Sequence, residues 1–141
     1  ILADAGIEIV ALAGFMRLMT AEFVESWRGR MINIHPSLLP AFKGLDTHAR
    51  ALEAGVKIAG CTVHFVTPEM DAGPIIAQAA VPVLADDDPD RLAKRILTAE
   101  HRLYPAALKW VASGAVTFDA ARNTAIETVN QDRVLISPQD A

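Results

Sequence analysis

The sequence predicts an α/β fold on a sheet that begins largely parallel, and three observations carry that prediction. Apolar, β-branched runs of strand length alternate with stretches of helical period, as βαβ units require. Glycines and prolines fall between these stretches and seldom inside them. With 141 residues, 52% of them hydrophobic, the chain can build one core and is too apolar to remain disordered.

Each element follows from local chemistry. Leu2 to Gly6 reads as a helical turn stopped by glycine, and Ile7 to Ala13 as a buried parallel strand. Thr20 caps a helix through Trp27, with Glu22 near its positive end and Gly29 closing it. Arg30 to His35 is the second strand. Pro36, Pro40 and Gly44 deny the next segment regular hydrogen bonding and make it an ordered loop. Asp46 or Thr47 caps a helix that ends at Gly55, and Ala59 to Thr67 has the β-branched and aromatic content of a strand. After the break at Pro68 to Pro74, Ile75 to Leu84 is a strand that Pro82 assigns to a sheet edge.

Asp87 or Asp88 before Pro89 starts the longest helix. There Leu92, Ile96, Ala99, Leu103, Ala107 and Trp110 recur at helical spacing, and Pro105 predicts a kink or restart near His101 to Tyr104. Val116 to Phe118 and Val134 to Ile136 are short strands, and residues 120–141 are expected to form a loose tail of a single domain.

Composition removes several classes of function. A net charge of −4 with no basic stripe argues against nucleic acid as a partner. The nearly unbroken apolar run from Ile9 to Met16 is far shorter than the roughly 18 residues of a membrane span. Cys61 stands alone, which excludes an intrachain disulfide and fits a reducing, cytoplasmic setting. The chain opens on Ile1, and no strand with a glycine-rich turn and helix precedes Ile7, so the front of a doubly wound fold is expected to lie outside this sequence. Such a portion would leave apolar faces open, and a homodimer is one expected consequence.

The period of two along Met31 to His35 sends Ile32 and Ile34 to one face and Asn33 and His35 to the other. The latter pair is expected roughly 6 to 7 Å apart at the carboxyl end of a strand, where open α/β sheets form their ligand crevice. An alternative is a polar strand end bonded to neighbouring backbone. Asp71, just before a turn, is the natural partner of His35, whose charged form a nearby carboxylate favours. An Asx turn within Asp71-Ala72-Gly73 explains the same residue equally well. His64 alternates with Thr62 and Val66 and is given only secondary standing, because a lone histidine in an apolar strand is usually a core residue. His48 and His101 lie on predicted helices without carboxylate or cysteine neighbours at a recognised metal-ligand spacing, and Asp86 to Asp90 reads as a solvated helix start, so no metal is expected.

Taken in order, Leu12-Ala13-Gly14-Phe15-Met16-Arg17, Asn33-Ile34-His35-Pro36-Ser37-Leu38-Leu39-Pro40 with Ala41-Phe42-Lys43-Gly44, Cys61 to Thr67 leading to Asp71-Ala72-Gly73-Pro74, and Ala99 to Pro105 resemble the phosphoribosylglycinamide formyltransferase family. These are the folate-dependent transformylases of purine synthesis, and the resemblance spans roughly Ile7 to Gly114. It implies a formyltransferase-type, Rossmann-like sheet, mostly parallel with an antiparallel C-terminal part. The family's N-terminal strands and phosphate-cradling loop have no counterpart here. It implies transfer of a formyl group from 10-formyltetrahydrofolate to the amine of glycinamide ribonucleotide, without a metal, with Asn33, His35 and Asp71 at the catalytic positions.

By the same resemblance Met16, Arg17, Leu18, Val66, Thr67 and Asp71 border the folate, Pro36 and Glu100 face the nucleotide, and Leu39-Pro40 is a cis bond. Formyltetrahydrofolate hydrolase is the first alternative, disfavoured by Pro36 after His35. Methionyl-tRNA formyltransferase ranks below it because its basic segment has no match. An inactive folate-binding fragment is the alternative outside catalysis.

Overall fold

A computed structural model describes residues 1–14 and 19–127. Its strands are β1 (Val10–Ala13), β2 (Met31–His35), β3 (Ile58–Phe65), β4 (Ile75–Pro82), β5 (Val116–Asp119) and β6 (Thr124–Glu127). The helices are α1 (Ala21–Ser26), α2 (Thr47–Ala54) and α3 (Pro89–Ala112). Strands β1 to β4 form one sheet in sequence order, and β5 and β6 form a separate antiparallel pair.

The main sheet is mixed, but its parallel part is one pairing: β1 runs parallel to β2, whereas β2–β3 and β3–β4 are antiparallel. Periodicity reports which residues are buried and not which way a strand runs. Residues 66–74 are too few for the crossover of about a dozen residues or more that parallel neighbours need. The longer β2–β3 connection is held at one end of the sheet. Thr62 donates its hydroxyl to the Ser37 carbonyl at 2.7 Å and accepts the Leu39 amide at 3.0 Å, while Gln78 donates to the Leu39 carbonyl at 3.0 Å.

Local signals place most boundaries. The Thr20 side chain accepts from the Phe23 amide at the head of α1, and Asp88 accepts from the Arg91 amide at the head of α3 with Pro89 in its first turn. Asp46 precedes α2 in a left-handed conformation and makes no side-chain cap, so only its position in the chain matches expectation. Ile7 belongs to the preceding hydrogen-bonded turn, which leaves β1 starting at Val10. Val66 and Thr67 lie beyond the end of β3.

Helix α3 continues through Pro105 without a restart. Strand β6 falls where a loose tail was expected: the Asp119 carboxylate accepts from the Ala121 and Arg122 amides, turning the chain so that 124–127 pairs with β5. The strand expected at Val134 to Ile136 lies outside the described residues.

One face of the sheet is apolar. Ile32, Ile34, Cys61, Val63, Phe65, Ala79 and Val81 pack beneath Leu92, Ile96, Ala99, Leu103 and Ala107 of α3. Burying a side chain of this size contributes about 1.5–3 kcal/mol, which makes α3 the main fixative of the sheet. Pro82 ends β4, the outer strand, as expected of an edge. At the sheet's other side the Tyr104 hydroxyl donates to the Leu12 carbonyl at 2.5 Å, with the Ile32 carbonyl 3.2 Å away, tying α3 to β1 and β2 just before Asn33.

Candidate active site

The opposite face is polar, and the strand register assembles it. Asn33 lies opposite His64, His35 opposite Thr62, and Thr62 opposite Gln78. Directly opposed residues share a face, so five polar side chains converge from three strands. His35, Thr62 and His64 are buried, as is Ser37 in the covering loop. Buried polar groups need partners, and the bonds they make define the site.

Asp71 enters from the loop after β3 with its side chain 11% exposed, which leaves it little water to screen its charge. One carboxylate oxygen lies 3.7 Å from His35 Nδ1 and accepts the Gly44 amide at 2.9 Å. The other lies 3.9 Å from His64 Nε2. Both imidazole contacts exceed the roughly 3.2 Å reach of an N–H···O bond, and each becomes an ion pair only when its ring is protonated. The carboxylate thus reaches across to the Gly44 amide and stands within 4 Å of both imidazoles.

The loop is seated tightly. A Cβ built on Gly73 would stand 1.7 Å from the Phe65 carbonyl oxygen, so only glycine permits this approach. The Phe65 amide also donates to the Pro74 carbonyl at 2.9 Å.

His35 Nε2 donates to the Phe42 carbonyl at 2.9 Å, leaving Nδ1 to face Asp71. That carbonyl is held in turn. Ser37 donates to the Ala41 carbonyl at 2.6 Å and lies 3.2 Å from that of Phe42, and Leu39-Pro40 is cis, as the family resemblance implied. Arg50 donates to the Lys43 and Leu45 carbonyls, with its guanidinium 5.7 Å from the centre of the Phe42 ring.

His64 was undervalued in the sequence. Its Nε2 is 3.3 Å from the Asn33 amide nitrogen, and its Nδ1 donates to the Phe65 carbonyl at 2.9 Å. Burial lowers its pKa from 6.5, against the opposing pull of the Phe65 carbonyl and Asp71. His48, at the start of α2, is lowered by burial first and then by nearby His35, and its Nε2 is buried without a hydrogen-bond partner among the described residues. A polar residue directly opposite Asn33 was the available signal for His64, but it requires the antiparallel register.

The structure therefore brings Asn33, His35 and Asp71 together. Val66 and Thr67 lead from β3 into the Asp71 loop, with the Val66 amide donating to the Met31 carbonyl at 2.9 Å. Pro36 follows His35 and lines a small apolar cavity with Phe42, Ala51, Val56 and Ile96. Glu100 stands apart on α3, joined to the trio by no hydrogen bond or ion pair among the described residues. Burial raises its carboxyl above the usual range, with His101 opposing. Met16, Arg17 and Leu18 lie outside the described residues.

A sheet face carrying an amide, two imidazoles and a shielded carboxylate suits acyl-group chemistry, and the comparisons agree. Residues 1–108 match the family model described as formyl transferase, and the chain belongs to that family. Among individual relatives, the trifunctional purine biosynthetic protein adenosine-3 of Gallus gallus is 55% identical over 116 residues, covering 82% of this chain and 12% of the relative. The phosphoribosylglycinamide formyltransferase of Escherichia coli K12 is 51% identical over 107 residues, covering 76% and 50%.

The crystal structure of phosphoribosylglycinamide formyltransferase from Anaplasma phagocytophilum superposes with a TM-score of 0.89 at 48% identity, over 96% of this chain and 66% of that one. A formyltetrahydrofolate deformylase from Pseudomonas syringae pv. tomato reaches 0.83 at 29% identity, over 89% and 42%. The chain thus spans about half the length of the E. coli relative it matches.

Proposed function

We propose that this chain carries the catalytic half of a phosphoribosylglycinamide formyltransferase, passing a formyl group from 10-formyltetrahydrofolate to the amine of glycinamide ribonucleotide. The observation that carries the reading is the convergence of Asn33, His35 and Asp71 on one partly shielded sheet face. Formyltetrahydrofolate supplies the one-carbon unit when bound. The protein's task is then electrostatic: negative charge builds on the formyl oxygen as the amine attacks, and donors must already be aimed there.

Asn33 offers an N–H of its side-chain amide. His35 in its imidazolium form donates through Nδ1, the nitrogen not committed to Phe42. Asp71 balances that charge and relays the proton leaving the attacking nitrogen, directly or through water. We place Met16, Arg17, Leu18, Val66 and Thr67 along the folate, with Arg17 on a carboxylate of its tail. Pro36 and Glu100 serve the nucleotide. The identities of 51% and 48% to phosphoribosylglycinamide formyltransferases, against 29% to the deformylase, favour an amine over water as acceptor. A cytoplasmic enzyme fits this role, and no helix among the described residues is long and apolar enough to cross a membrane.

The test is to supply formyltetrahydrofolate with and without glycinamide ribonucleotide and follow both products by mass spectrometry. Formylated nucleotide that forms only when the amine is present is expected. Tetrahydrofolate and formate released at the same rate without it would assign the chain to the hydrolases.

A further inference from the structure

Resting on the formyl-transfer reading, a further question is what turns the Asn33 amide so that its nitrogen, and not its oxygen, faces the developing charge. We propose that His64 is the positioning residue that does so, by accepting one N–H of Asn33 at Nε2 and leaving the second as the donor to substrate.

The assignment follows from bonding capacity. His64 Nδ1 lies 2.9 Å from the Phe65 carbonyl oxygen, which can only accept, so Nδ1 carries the proton. In a neutral ring Nε2 is then a lone pair. That lone pair lies 3.3 Å from the Asn33 side chain, and only the amide nitrogen can meet it favourably, since the flipped amide would set oxygen against nitrogen. The sheet fixes both partners, because Asn33 and His64 are directly opposed in the β2–β3 register and His64 is only 3% exposed.

A proton on Nε2 would reverse the arrangement. It would confront the Asn33 N–H with another donor and give Asp71, 3.9 Å away, a second cation competing with His35. The ionisable groups facing His64 are Asp71 from its loop and His35 from β2, while β4 presents Ile75. Burial of the ring works to keep it neutral. His64 thus acts through Asn33 without touching the substrate.

The test uses the 141-residue chain labelled with 15N-histidine. At pH 7.5, His64 is expected as the Nδ1-protonated tautomer, with an Nε2 resonance that moves when Asn33→Ala removes the donor. An Nε2-protonated ring, or a resonance indifferent to Asn33→Ala, overturns the proposal whatever the activity. In formyl transfer, His64→Leu is expected to lower kcat by about 10²-fold, the scale of losing an aligned donor, with KM for both substrates little changed. His64→Gln, whose side-chain oxygen can accept from Asn33, should recover most of that loss. Wild-type kcat in His64→Leu would overturn the proposal, as would equal losses in the two variants. Absence of amine-dependent transfer by the unaltered chain, with the tautomer pattern intact, would strike down the functional reading and support the positioning role.

Discussion

Individual buried side chains are held in states that cost stability, and those costs are measurable. Burial lowers the pKa of His64 and His48 below 6.5, so the unfolded chain takes up protons in mildly acidic solution that the folded chain refuses. Stability should rise with pH through the window beneath 6.5 and level off above it. Urea midpoints at pH 5.5 and 7.5 check this, and a midpoint unchanged between them would contradict it. Glu100 has the opposite sign. Its carboxyl is raised by burial, so its charge at neutral pH opposes folding. Glu100→Gln is expected to stabilise the fold by about 0.5–2 kcal/mol while raising KM for glycinamide ribonucleotide, the usual exchange at a functional site. A stability loss, or an unchanged KM, would remove Glu100 from the nucleotide subsite.

At the level of elements, the loops matter as much as the strands. Thr62 satisfies the Ser37 carbonyl and the Leu39 amide and receives Gln78 Nε2 at 3.0 Å. Thr62→Val would leave the Ser37 carbonyl and the Leu39 amide without that partner, at a cost of about 1–3 kcal/mol each, and should lower the melting temperature and turnover together through the Phe42 carbonyl that holds His35. Gly73→Ala is expected to displace the Asp71 loop and reduce turnover far more than it shifts the melting temperature, a comparison that thermal melts and initial rates make directly.

The two kinds of element differed in how far the sequence disclosed them. Helix α3 announced itself through Leu92, Ile96, Ala99, Leu103 and Ala107, since burial on one side of a helix must repeat with its turn. The facing of Asn33 and His35 followed equally directly from the period of a strand. The direction of β3 did not, because a reversal depends on how the 36–44 loop is anchored and not on local pattern. With that direction unknown, His64 remained an isolated histidine when it in fact stands opposite Asn33. Strand β6 was hidden for another reason: four residues are too few to show a period.

For the molecule as a whole, one sheet divides two tasks. The apolar face fastens α3, and the polar face gathers groups whose charges oppose or reinforce one another across less than 4 Å. Replacing Asp71 tests the polar face as a unit. Asp71→Asn keeps the shape and removes the charge, so kcat should fall further than folate affinity; equal losses would make Asp71 a binding residue instead. The decisive experiment is the initial rate of formyl transfer to glycinamide ribonucleotide, measured side by side for the unaltered chain and Asn33→Ala. The account predicts amine-dependent product from the unaltered chain and a rate lower by about 10²–10³ in the variant. Equal rates in the two proteins, or no dependence on the amine, would contradict it.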